Sequence, residues 1–74
     1  MSEYILKNNV RRYRFDCNEM TQQELANKAH VSRQTIVAIE KGKYSPSLEL
    51  AFKIAQVFKA PLEEVFSYVI DDIT

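Results

Sequence analysis

Apolar residues recur along this chain at helical spacing, in short blocks set off by hydrogen-bonding side chains. Val10, Tyr13 and Arg14 fall at i, i+3 and i+4, so a first helix is predicted over Lys7–Asp16. Asn18–Met20 breaks the pattern. Thr21-Gln22-Gln23-Glu24 has capping-box spacing, and it opens a second helix with Leu25, Ala26 and Ala29 on its inner side. That helix stops near His30. Ser32 caps a third, Arg33–Glu40, with Ile36, Ile39 and Glu40 turned inward. Gly42 supplies a helix stop, and Lys43-Tyr44-Ser45-Pro46 reads as a loop.

Ser47 caps a fourth helix reaching about Phe58. Leu48/Ala51/Phe52/Ala55 form one stripe on it, and Leu50/Ile54/Val57 extend apolar surface to another side, so burial on more than one side is expected. Pro61 suits the first position of a short fifth helix, Pro61–Phe66. Tyr4-Ile5-Leu6 and Ser67–Thr74 are rich in β-branched and aromatic residues and can pair as a ribbon. One glycine and two prolines are few breakers, which favours helices with short connections. The fold class expected is all-α, five helices, with a short two-stranded ribbon from the two ends.

Composition narrows the functional classes. The 74 residues allow one small domain, residues 1–74. One cysteine allows no internal disulfide, which together with the N-terminal sequence points to a cytoplasmic protein. One cysteine and one histidine cannot build a four-ligand zinc site, and no metal or cofactor is expected. No apolar run reaches the ~18 residues a membrane helix needs. Formal net charge is zero, but it is divided unevenly. Residues 1–46 carry eight basic against five acidic residues, and residues 47–74 two against five. That split suggests one anion-facing side. No set of nucleophile, base and acid is visible: His30 and Cys17 stand apart as a turn residue and an incidental thiol. An enzyme is not expected.

Residues 21–40 concentrate the remaining chemistry. Two capped helices are joined by about three residues, with small Ala26 at their closest approach and Val31 able to plug the angle between them. The outward start of the third helix is Ser32-Arg33-Gln34-Thr35, and a helix N-terminus is where a major-groove reader presents its base contacts. Arginine suits guanine O6/N7 and glutamine suits adenine N6/N7. Gln22 and Gln23 open the preceding helix, whose free N–H groups can hold a phosphate.

The stretch TQQELANKAHVSRQTIVAIEKGKYSPSLELAFKIAQVF resembles the Cro/CI-type, phage-repressor-like helix-turn-helix regulators, and the likeness runs from about Asn8 to Phe66. The resemblance implies a five-helix lambda-repressor-like domain that docks its third helix in the major groove. It implies Arg33 and Gln34 as the principal base readers, and Ser32 is expected to read bases with them. It implies backbone contacts from Gln22, Thr35, Lys41, Lys43 and Tyr44, and a structural pair Arg14–Glu40. His30 stands where the family's turn usually has glycine, and Asp16–Met20 looks one residue longer than usual.

Function is therefore expected to be sequence-specific DNA binding by a transcriptional regulator, a repressor on a short pseudo-palindromic operator. A homodimer is expected from residues 47–74, through Leu50, Ile54, Val57, Phe66, Tyr68, Val69 and Ile70. The rival is a protein-interaction module, antitoxin-like or a scaffold, for which Val37 and Ala38 are the one hint.

Overall fold

The computed structural model describes residues 2–72, as β1 (Ser2–Asn8), α1 (Val10–Asp16), α2 (Gln22–Ala29), α3 (Arg33–Glu40), α4 (Leu48–Phe58), α5 (Leu62–Val65) and β2 (Phe66–Asp72). The expected strand end at Ile73 and Thr74 lies outside the described residues.

Local chemistry accounts for most boundaries. Thr21 and Glu24 close the capping box in both directions: the Glu24 amide donates to Thr21 Oγ1 at 3.0 Å, and the Thr21 amide donates to Glu24 Oε1 at 2.9 Å. Ser32 Oγ accepts the Thr35 amide at 3.2 Å and Ser47 Oγ the Leu50 amide at 3.1 Å. These caps satisfy amides that the first helical turn leaves without partners. Left-handed residues end the helices. His30 closes α2 at φ 61°, Lys59 closes α4 at φ 54°, and Gly42 follows α3 at φ 73°. The long α1–α2 connection is absorbed by two consecutive left-handed residues, Asn18 and Glu19, after which the Met20 amide returns to the Arg14 carbonyl at 2.9 Å.

Val10, Leu25, Ala26, Ala29, Ile36, Ile39, Ile54 and Val65 are almost fully buried in one core, and Leu50, Ala51, Ala55, Phe58 and Phe66 close its sides. Ala26 has no exposed surface, as a close α2–α3 crossing requires, and Val31 packs against the core from the turn. No helix among the described residues is long and apolar enough to cross a membrane.

Three expectations need correction. α1 starts at Val10 and not at Lys7, because Lys7 and Asn8 continue β1 and the Asn8 carboxamide oxygen accepts the Val10 amide at 3.1 Å. Phe66 belongs to β2, leaving α5 four residues long with Pro61 as its cap. On α4 the buried side is Leu50/Ala51/Ile54/Ala55/Phe58, and Leu48 and Phe52 face solvent.

The ends of the described chain meet in an antiparallel ribbon whose register runs from Ser2 opposite Asp72 to Asn8 opposite Phe66. Its base is pinned to the helices. The Asn9 amide donates to the Val65 carbonyl at 2.8 Å, and Asn8 Nδ2 donates to the Ile39 carbonyl at the end of α3 at 2.9 Å. The radius of gyration, 12.5 Å, exceeds the about 11 Å of a compact chain of this length, because the ribbon projects.

Candidate nucleic-acid interface

α3 presents its first turn outward. Arg33 and Gln34 are exposed directly after the Ser32 cap, and Thr35, half-buried, turns its hydroxyl to within 3.0 Å of Ser32 Oγ. Inward-facing Ile36 and Ile39 fix the helix against α2. The two exposed side chains thus stand on a backbone held by a side-chain cap at one end and core packing behind.

A polar chain runs from this surface into the domain. Arg33 Nη2 reaches Gln22 Oε1 at 3.5 Å, a long contact. Gln22 Nε2 donates to Glu40 Oε1 at 3.2 Å. Glu40 takes two hydrogen bonds from Arg14, Nε to Oε2 at 2.6 Å and Nη2 to Oε1 at 3.0 Å. The third arm of the fork, Arg14 Nη1, donates to the Met20 carbonyl at 2.8 Å. With 14% and 9% of their side-chain surface exposed, Arg14 and Glu40 tie α1, the α1–α2 loop and the end of α3 together. Paired bidentate geometry of this kind orients as well as attracts.

Gln22 is half-buried, with one of its two Nε2 hydrogens given to Glu40, and it lines the cleft between α1, α2 and α3. Gln23 is exposed, with Nε2 bonded to Asn27 Oδ1 at 2.9 Å. Lys41, Lys43 and Tyr44 are all exposed just beyond α3. A cleft of about 690 Å³ runs between α1, α2 and α3, lined among others by Gln22, Gln23, Arg33 and Lys41. Arg11 and Phe15 line it too, and neither was singled out from the sequence. The basic run Arg11-Arg12-Arg14 was the available signal. It did not say which arginine faces the cleft, which turns inward and which faces elsewhere.

Electrostatics at the surface follow local bonds. Hydrogen bonds from the Thr21 backbone, then its side chain, hold the Glu24 carboxyl below its ordinary value. On the far side of α1, the bond of Tyr13 Oη to Glu64 Oε2 at 2.8 Å pushes the phenol up, with desolvation adding to it.

The residues expected at a dimer interface do not form one surface. Leu50, Ile54 and Phe66 belong to the chain's own core, with at most 8% exposure. Val57 and Val69 are half-buried, and Tyr68 and Ile70 are exposed on the ribbon.

Comparison with known proteins agrees with this geometry. A helix-turn-helix family model matches residues 18–65. An uncharacterised HTH-type transcriptional regulator of Methanocaldococcus jannaschii is 54% identical over 67 residues, covering 90% of this chain and 100% of the relative. A second such regulator, from Archaeoglobus fulgidus, is 49% identical over 63 residues, 85% of this chain and 87% of its own. The cryptic phage CTXphi transcriptional repressor RstR of Vibrio cholerae is 39% identical over 49 residues, 66% of this chain and 44% of its own. With a capped and braced α2–α3 unit at its centre and regulators among its relatives, the chain belongs to the Cro/CI-type helix-turn-helix family of DNA-binding transcriptional regulators, which is not a family of enzymes.

Proposed function

We propose that this protein is a repressor that binds a short pseudo-palindromic operator as a two-fold dimer, with α3 in the major groove of each half-site. Arg33 and Gln34 read base edges, with Ser32 at the cap beside them. Gln23, Thr35, Lys41, Lys43 and Tyr44 contact the backbone, and Arg11 joins them from α1. Gln22 acts by holding Glu40 and Arg33 in place.

The observation that carries this reading is the exposed Arg33–Gln34 pair at a capped helix N-terminus, above a bonded chain that ends in the Arg14–Glu40 pair. The Ser32 cap and the buried Ile36 and Ile39 fix the backbone that carries the pair, so the helix N-terminus needs no reordering to approach a base. The charge split supports the same orientation, since the basic first part holds the reading helix and the acidic second part lies beyond it. One reading helix covers too few base pairs for a useful operator, whereas two copies double the site and set half-sites about 34 Å apart. Repression rather than activation follows the named relative, RstR.

Against the rival reading as a protein-interaction module, Val37 and Ala38 are half-buried, and the exposed surface of α3 is polar. Selection of bound sites from random double-stranded DNA tests the proposal. A palindrome with half-site centres one helical turn apart is expected. Recovery of unrelated sequences at equal affinity would overturn sequence-specific reading.

A further inference from the structure

The wall of the cleft between α1, α2 and α3 contains a large side chain that binding by charge and hydrogen bonds does not use. Phe15 sits near the end of α1 and is 67% exposed. Arg11 precedes it by four residues, so the two stand together on one side of the helix. Both line this cleft, and both also line a smaller one of about 440 Å³ on the side of Asn8 and Arg12. Arg11 and Phe15 therefore form a ridge between two hollows.

The larger cleft offers two kinds of surface. Its charged groups are Arg11, Arg14, Arg33 and Lys41 against Glu19 and Glu40. Arg14 and Glu40 satisfy each other within the protein, which leaves three cations against Glu19. Apolar carbon comes from Phe15 and from the half-buried Val37. A partner with only charge to offer would leave the Phe15 ring in water, and a purely apolar partner would strand Arg11, Arg33 and Lys41. A DNA strand carries both chemistries in alternation, anionic phosphates and, between them, deoxyribose with its C–H surface.

We infer that Phe15 rests on a deoxyribose of the strand bordering the groove that α3 enters, with Arg11 on an adjacent phosphate. This rests on the DNA reading above and adds to it a contact that carries no charge. Position agrees. Arg33 lines the same cleft from the start of the reading helix, so a duplex seated on α3 brings one backbone strand against α1. The helix under the ridge is fixed as well. Val10 at its start is fully buried, and at its end the Met20 amide and carbonyl both bond back to Arg14. The ring is thus held at the rim of the cleft without any rearrangement of α1. Every nucleotide presents the same sugar, so the contact positions the protein and reads no sequence.

The chain contains no tryptophan, so Phe15→Trp introduces a single indole at the ridge. Its fluorescence is read with the full chain on two duplexes, one carrying the site selected from random DNA and one of random sequence, both at low salt. Anisotropy of the labelled duplex follows binding independently. On both duplexes the Phe15→Trp emission should move to shorter wavelength and become less accessible to acrylamide. Phe52→Trp, on the exposed side of α4, should show neither change. Phe15→Ala should lower affinity about tenfold on both duplexes, the loss that corresponds to covering about half of the ring's exposed area. The slope of log affinity against log salt should stay unchanged, because the ring neutralises no phosphate, whereas Arg11→Ala should flatten it by about one unit. An unchanged urea midpoint for Phe15→Ala is expected from the ring's exposure and separates a lost contact from unfolding.

Binding by anisotropy with unshifted Phe15→Trp emission, or a Phe15→Ala affinity equal to that of the intact chain, would overturn the inference and leave the DNA reading standing. A loss confined to the selected duplex would make Phe15 a base contact and overturn the sugar contact. Failure of the intact chain to bind either duplex would overturn both.

Discussion

Replacing Arg14 with alanine separates a brace from a DNA contact. In the folded protein its guanidinium makes three hydrogen bonds, two to Glu40 and one to the Met20 carbonyl. The variant leaves Glu40, 9% exposed, with Gln22 as its remaining side-chain partner, and leaves the Met20 carbonyl without its donor. Breaking a fully buried pair by removing one partner costs roughly 3–5 kcal/mol. Arg14 retains some contact with water, so the lower end, about 3 kcal/mol, applies. For a domain of this size that lowers Tm by about 12–24 °C. Urea denaturation followed by circular dichroism measures it, with the slope unchanged if the unfolded state is unaffected. The double variant Arg14→Met with Glu40→Leu should recover most of the loss, because no charge is then stranded. DNA affinity of Arg14→Ala should return when the protein is assayed cold enough to be folded. An unchanged urea midpoint together with lost DNA binding would refute the reasoning, since Arg14 would then be facing phosphate and not Glu40.

Other expectations follow from the same geometry. Arg33→Ala should cost about 1–3 kcal/mol on a selected site and little on random DNA, whereas Lys43→Ala should weaken both and flatten the salt dependence by about one unit. Titrations at several salt concentrations distinguish them, and equal losses on both DNAs would contradict the division. His30→Gly should stabilise the fold by about 1 kcal/mol, since His30 holds φ 61° at a cost glycine does not have; a lower urea midpoint would show the imidazole making a contact that matters. The lowered Glu24 carboxyl contributes stability above its ordinary value of 4.5 that is lost as pH falls below it, and Glu24→Gln, which keeps the box but does not titrate, should reduce that acid dependence. The raised Tyr13 phenol contributes stability below 10.0 that is lost as pH rises past its folded value, and Tyr13→Phe should flatten that alkaline limb in thermal melts.

Sequence alone determined the features that arise from neighbours along the chain. The Thr21–Glu24 box and the Ser32 and Ser47 caps are bonds spanning three residues, so residue type and spacing were enough to place α2, α3 and the start of α4. Leu25, Ala26, Ala29, Ile36 and Ile39 recur at helical period, and all five are buried. Tertiary structure decided what depends on which element lies alongside. α4 is apolar on nearly all sides, so its own sequence could not say that Ile54 turns to the core while Leu48 and Phe52 stay out; contact with α2 and α5 settles it. The arginines at 11, 12 and 14 are chemically alike, and Glu40 on a different helix singles out Arg14. The bond from Gln22 to Glu40 joins residues 18 apart, so only the folded chain shows it. The ribbon was legible as two β-prone segments, but its register is a long-range property. Pairing Leu6 with Tyr68 and Tyr4 with Ile70 is what gathers four scattered apolar residues onto one exposed face.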